Sequence, residues 1–112
     1  MDHYSEDFFR LLQEGSRRSA ETIVPIVMYL GGRFRSVVDI GCGLGTWLRV
    51  FQQHGVDDVL GIDGDYVDRA ALEIPSERFL PHNLEKPINL RRQFDLVIAL
   101  EVAEHLPRAC AG

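Results

Sequence analysis

Three closely spaced glycines and a later aspartate are the residues of this sequence best suited to chemistry. Gly41, Gly43 and Gly45 follow a short β-branched run that contains Asp39, and Asp63 lies 22 residues after Gly41. Glycine permits positive φ, and its missing side chain lets a ligand lie against backbone N–H groups. A carboxylate at the end of the next strand can accept both hydroxyl hydrogens of a ribose. The spacing therefore predicts a nucleoside site.

The positions of the glycines also bear on the choice of ligand. A dinucleotide-binding turn has the pattern G-x-G-x-x-G, whereas the third glycine here comes one residue earlier. Trp47 occupies the start of the next helix, where close approach of a pyrophosphate needs small residues. No lysine follows the glycines, which excludes a P-loop. A dinucleotide site is thus disfavoured, and a tight strand-to-helix turn without a ligand stays open as an alternative.

Length and composition limit the class of protein. The 112 residues predict a single domain, and 46% hydrophobic with 26% charged residues is a composition that forms a packed core. The net charge of −5 disfavours a nucleic-acid partner, because no basic stripe is present to neutralise phosphates. No apolar run reaches the roughly 18 residues needed to cross a bilayer. The acidic start lacks the features of a secretory signal, and two cysteines make no disulfide framework, so we expect a cytoplasmic location.

The elements that must position these residues alternate between strands and helices. Such alternation indicates βαβ units and a parallel sheet covered on both faces, so the predicted fold class is α/β. We expect residues 1–35 to form an N-terminal helical segment and residues 36–112 to form the α/β core. The predicted strands cover 36–40, 56–62, 78–80 and 94–100, and the predicted helices cover 5–15, 19–31, 46–54, 66–72 and the region from 101 to 106.

Four segments in order resemble the motifs of the class I S-adenosylmethionine-dependent methyltransferases. They are Val38–Trp47, Gly61–Asp63, Phe94–Ile98 and Glu101–Leu106, and the resemblance extends from about residue 19 to residue 106. It implies a doubly wound, Rossmann-like, mostly parallel sheet that is incomplete, because about four of the family's seven strands are present. We therefore expect a truncated domain, whose open edge at the fourth strand is covered by an oligomer contact or another partner.

The resemblance also implies roles for individual residues. Asp39 would lie near the methionine amino group of S-adenosylmethionine, Asp63 would bind the ribose hydroxyls, and Glu101 would lie near the transferable methyl group. Asn83 stands where the family often has an acid beside the adenine, and its amide can still accept a hydrogen bond there. The residues implied in cofactor binding are Asp39, Gly41, Cys42, Gly43, Gly45, Asp63, Gly64, Asn83, Leu84 and Glu101.

The segment after the fourth strand holds the candidate residues for catalysis. His105 is the candidate general base because its ordinary pKa is near neutrality, although methyl transfer from a sulfonium does not always need a base. No metal site is predicted. Glu101, Glu104 and His105 resemble a divalent-metal set in some family members, but the same pattern in other members closes the cofactor pocket without a metal.

The resemblance implies a methyltransferase, and together with the acidic charge it leads us to expect a small-molecule or glycan-linked acceptor. The alternatives are an NAD(P)-binding Rossmann oxidoreductase and a catalytically inactive methyltransferase-like binding module.

Overall fold

The fold is a small parallel sheet with two helices, seen in a computed structural model that describes residues 2–32 and 34–99, with side chains from residue 14 onward. The helices are α1 (Asp2–Gly31) and α2 (Thr46–Gln53). Two single 3-10 turns lie at Arg69–Ala71 and Ser76–Arg78. The strands are β1 (Ser36–Ile40), β2 (Asp58–Asp63), β3 (Phe79–Pro81) and β4 (Leu96–Ile98).

The four strands form one all-parallel sheet in the order β3-β2-β1-β4. Asp39 of β1 pairs with Gly61 of β2, and Asp63 of β2 pairs with Pro81 of β3. β2 and β3 lie on one side of β1, and β4 lies on the other side. The strand order therefore reverses at β1, which makes this position a topological switch point. In open α/β sheets, ligands bind outside the carboxyl ends of the strands at such a point. The expected α/β class and the incomplete Rossmann-like sheet are confirmed.

The hydrophobic core lies between the two helices and one face of the sheet. Leu48, Val50 and Phe51 of α2 are fully buried there, as are Val37 and Val59 of the sheet. Ala20 and Val24 of α1 belong to this cluster, and their spacing of four residues places them on one face of the helix; Val27 and Met28 of α1 pack against it and are partly buried.

The opposite face of the sheet is only partly covered by the described residues. Val38 and Ile62 are buried on this face, whereas Val97 of β4 is 56% exposed. Residues of the segment before β4, including Ile88 and Phe94, line an open groove of about 430 Å³ beside Val38 and Val97. Within the described residues, β1 is therefore covered on both faces, whereas β4 is covered on one.

The N-terminal segment is one continuous helix, so the expected break near Gly15 is wrong. Gly15 adopts helical φ and ψ at a cost of about 1 kcal/mol relative to alanine, which the packing of the following turns on the core offsets. Pro25 also lies inside α1, where it removes one backbone hydrogen bond without ending the helix. No helix among the described residues is both long and apolar enough to cross a membrane.

Two further expectations are corrected. The helix expected at 66–72 is reduced to the turn Arg69–Ala71, because Asp68 caps it by accepting from the Ala70 N–H at 3.0 Å and Pro75 follows closely. The fourth strand begins at Leu96 rather than at residue 94. The Asp95 N–H donates to the Ser36 hydroxyl at 2.9 Å, and the Asp95 carboxylate accepts from the Arg35 N–H at 2.7 Å. Asp95 therefore closes the end of the β1–β4 pair instead of continuing the ladder.

The amino end of β2 is held by a three-residue ion cluster. The Asp58 carboxylate accepts from Arg92 at 2.6 Å and from Arg78 at 3.1 Å. The Arg92 guanidinium also stacks 4.0 Å from the centre of the Phe94 ring. Because Arg92 and then Arg78 favour the charged carboxylate, the pKa of Asp58 lies below its ordinary value. The cluster ties the long segment before β4 to the sheet.

Truncating a buried side chain of α2 tests where the core lies. Phe51→Ala is expected to reduce the free energy of unfolding by about 3–5 kcal/mol, because it removes a ring that is 1% exposed. Urea denaturation followed by circular dichroism measures this change. Leu30→Ala, at a position 76% exposed near the end of α1, is the control and should change stability by less than about 0.5 kcal/mol. Similar losses in both variants would contradict the described core.

The ion cluster predicts a pH-dependent stability difference. Asp58→Asn should lower the thermal unfolding midpoint at pH 7, because it removes the charge that pairs with Arg92 and Arg78. The decrease should be only a few degrees, since partly exposed ion pairs are screened by solvent. The pKa of Asp58 is depressed by folding, so its stabilising effect is present above the ordinary pKa of about 3.9 and is lost as pH falls through the folded value. The midpoints of wild type and variant should converge at low pH. The exposed Asp57→Asn is the control, and a difference that persists at low pH would contradict the prediction.

Candidate functional site

The candidate site is the turn between β1 and α2, which is bonded directly to the end of β2. The Gly41 and Cys42 N–H groups both donate to the Ile62 carbonyl, at 2.7 and 3.1 Å. The Gly43 N–H donates to Oδ2 of Asp63 at 2.8 Å. The structure therefore brings the glycines and the aspartate of the sequence prediction together at the carboxyl edge of two neighbouring strands.

The glycines of this turn differ in the space around them. Gly45 caps α2 with a φ of 85°, and a Cβ there would lie 2.9 Å from the side chain of Ile74. Gly43 has a φ of 57°, but a Cβ at this position would meet nothing within 4 Å. The space in front of Gly43 is open, so a ligand can lie against its backbone. Gly41 shares the positive φ, at 83°.

Two carboxylates are buried at this edge of the sheet. Asp39, near the end of β1, and Asp63, at the end of β2, are each 4% exposed. Asp63 accepts three hydrogen bonds, from the Gly43 N–H at 2.8 Å, from the Gly64 N–H at 2.8 Å and from the Tyr66 hydroxyl. These donors satisfy the carboxylate oxygens in a position that water reaches poorly.

Cys42 lies close enough to both carboxylates to feel their charges, and it is not suited to thiolate chemistry. Burial, followed by the charges of Asp39 and Asp63, raises the pKa of its thiol well above the ordinary range. Its Sγ lies 3.3 Å from the Gly43 carbonyl oxygen, and a Cβ on Gly61 would meet that sulfur at 2.7 Å. The side chain therefore fills the gap between the turn and β2 as a neutral, small group.

The segment Glu73–Ile74 packs against the turn between β1 and α2, and the sequence analysis did not identify it. Glu73 accepts from the Thr46 hydroxyl at the start of α2 and forms an ion pair with Arg17 of α1. The Glu73 N–H donates to the Leu44 carbonyl at 2.8 Å, and Ile74 packs against Gly45. No local pattern marks Glu73, because its partners are distant in sequence.

The adenine-side candidates lie just beyond β3. The His82 N–H donates to the Asp63 carbonyl at 2.8 Å, which brings this segment to the same edge of the sheet. Asn83 is exposed, and its Oδ1 accepts from the Glu85 N–H at 3.0 Å, so the amide oxygen closes a local turn. Leu84 is half-buried.

Glu101, Glu104 and His105 lie outside the described residues. Within the described part of the chain, no three His, Cys, Asp or Glu side chains cluster as metal ligands would. His105 as the general base therefore stays a prediction, and so does the expectation that Glu101, Glu104 and His105 hold no metal.

Comparison with known proteins identifies the class of protein. A family model described as a methyltransferase domain matches residues 6–111. The chain belongs to this methyltransferase family, and the resemblance to class I S-adenosylmethionine-dependent methyltransferases is confirmed. The dinucleotide-dependent oxidoreductase is not favoured.

Individual relatives are similar over part of their length. Two ubiquinone biosynthesis O-methyltransferases of Rhodopseudomonas palustris, from strains HaA2 and BisA53, are 36% and 32% identical over 75 residues. Each match covers 62% of this chain and 29% of the relative, so the chain matches under a third of their length. The crystal structure of Streptomyces venezuelae DesVI has a TM-score of 0.66 and 22% identity, over 89% of this chain and 43% of that one. This likeness supports the fold.

The contacts of Glu73 predict a graded loss of stability. Glu73→Ala should reduce the free energy of unfolding by about 1–3 kcal/mol, because the Thr46 hydroxyl, in a residue 6% exposed, loses its acceptor. Glu73→Gln keeps an acceptor oxygen for Thr46 and loses only the charge opposite Arg17, so it should cost less. Urea denaturation measures both variants, with the exposed Glu77→Ala as the control. Equal losses for the alanine and glutamine variants would contradict this assignment.

Proposed function

We propose that this chain binds S-adenosylmethionine through the glycine turn and Asp63, and that the whole protein transfers the methyl group to an oxygen of a small molecule. The observation that carries the proposal is the hydrogen bond between the Gly43 N–H and the Asp63 carboxylate. This bond places the open backbone of the turn next to the buried Asp63 carboxylate, which can accept hydrogen bonds from hydroxyl groups. The two together form one surface at the carboxyl ends of β1 and β2.

The residues of this surface fit the chemical groups of the cofactor. The Asp63 carboxylate suits the two ribose hydroxyls, and the free space at Gly43 accommodates a ligand against the turn. Asp39 at the end of β1 is the proposed partner of the methionine amino group. Two buried carboxylates also complement the positive charges of an ammonium and a sulfonium. Asn83 and Leu84 are the proposed neighbours of the adenine.

The chemistry of the reaction divides between cofactor and protein. S-adenosylmethionine supplies an electrophilic methyl group on a positively charged sulfur. The protein's part is to hold the acceptor in line and, for a hydroxyl acceptor, to take up the proton that leaves. His105, within the range of the family match, is the proposed base.

The choice of an oxygen acceptor is supported by two relatives. Both similar proteins from Rhodopseudomonas palustris are named as O-methyltransferases of ubiquinone biosynthesis. Because the matches cover 29% of those proteins, the acceptor belongs to the proposal for the whole protein.

Binding of S-adenosylhomocysteine tests the cofactor site. Wild type should bind it in isothermal titration calorimetry, and Asp63→Ala should weaken binding at least about tenfold, since hydrogen bonds to a charged acceptor are lost. Asp63→Asn, which keeps the shape of the side chain, should also weaken binding and guards against a folding defect. Asp65→Asn, an exposed carboxylate of the same loop, is the control and should bind like wild type. Binding of NADH in place of S-adenosylhomocysteine would refute the proposal.

A further inference from the structure

A tyrosine close to the candidate site holds the carboxylate that a ribose would need. The Tyr66 hydroxyl donates to Oδ1 of Asp63, three residues earlier in the chain. Its ring passes over Gly64, where an added Cβ would lie 2.4 Å from Cε1 of the ring. Tyr66 is 79% exposed while Asp63 is 4% exposed, so the phenol reaches inward only with its hydroxyl.

The hydrogen-bonding capacity of Asp63 is nearly filled in this arrangement. An ionised carboxylate offers about four lone-pair positions, two on each oxygen. Oδ2 accepts one hydrogen bond, from Gly43, and Oδ1 accepts two, from Gly64 and Tyr66. One position therefore remains, on Oδ2, whereas a ribose diol brings two donors. A ribose that binds through both hydroxyls needs one of the three present donors to leave.

The three donors differ in their freedom to move. The Gly43 and Gly64 N–H groups belong to the backbone of the turn and of the residue after β2, so the fold holds them in place. The Tyr66 side chain can rotate about its own bonds, and its largely exposed ring loses little packing when it does so. Its hydroxyl is then solvated by water, which makes Tyr66 the donor that a ligand displaces at lowest cost.

We propose that Tyr66 is a specificity-determining residue that competes with the ribose of the cofactor for Oδ1 of Asp63. This inference rests on the proposed function. Before binding, the phenol satisfies the buried carboxylate, and a ligand with a complete diol replaces it. A ligand without the diol gives Asp63 no substitute donor, so the tyrosine stays in place.

The ionisation of the phenol is consistent with this contact. Burial of the hydroxyl, together with its hydrogen bond to Asp63, raises the pKa of Tyr66 to about 12. Release from the carboxylate removes both causes, so ligand binding should return this pKa toward the ordinary tyrosine value of about 10.

Calorimetry with two ligands tests the competition. S-adenosylhomocysteine should bind Tyr66→Phe about 3- to 10-fold more tightly than wild type, because no hydrogen bond has to be broken first. Its 2′,3′-dideoxy analogue should bind wild type and variant equally. Tyr66→Leu should repeat both results, and thermal unfolding of each variant verifies its fold. Tyr29→Phe, at a residue 87% exposed on α1, is the control and should change neither affinity.

The possible results separate this inference from the proposed function. Unchanged or weaker binding of S-adenosylhomocysteine by Tyr66→Phe would overturn the proposed role of Tyr66. It would leave the proposed function intact, since the site would still bind S-adenosylhomocysteine. An equal gain for both ligands would also overturn it, because the effect would not depend on the diol. Absence of binding by wild type and by every variant would overturn the proposed function and the role of Tyr66 with it.

Discussion

The hydrogen bond from the Gly43 N–H to the Asp63 carboxylate is the contact on which the candidate site depends. It joins the turn after β1 to the last residue of β2, at a distance of 2.8 Å. A carboxylate that is 4% exposed needs donors, and the N–H groups of a tight turn need acceptors. The Gly43 N–H and the Asp63 carboxylate satisfy each other, so the geometry of the turn depends on the position of the Asp63 side chain.

The rest of the fold keeps this contact in place. Parallel pairing of β1 with β2 brings their carboxyl ends to one edge of the sheet, which sets the distance between the turn and the aspartate. Glu73 and Ile74 then close the back of the turn, through Thr46 on one side and Gly45 on the other. Because Glu73 also pairs with Arg17, the long first helix is connected to the same turn. The open side of the turn, in front of Gly43, is left for a ligand.

Local sequence patterns predicted the order of the elements but not all of their limits. The β-branched run before Gly41 and the alternation of strands with helices were sufficient for the α/β class, because these signals lie within short windows. Gly15 indicated a helix end that does not exist, since packing of α1 on the core outweighs the low helix propensity of glycine. At Arg69–Ala71, by contrast, the helix is shorter than predicted, because Asp68 limits it on one side and Pro75 on the other.

The sequence by itself determined that a glycine turn follows one strand and that an aspartate ends the next, because both depend on residues close together in the chain. Only the tertiary structure decided which groups donate hydrogen bonds to that aspartate. The Gly43 bond spans 20 residues, the Thr46–Glu73 bond spans 27, and the Tyr66 contact needs the chain to fold back over Gly64. Residue type shows that a group can donate or accept a hydrogen bond. Which partner it meets is decided by the distances that the sheet register and the packing of the helices impose.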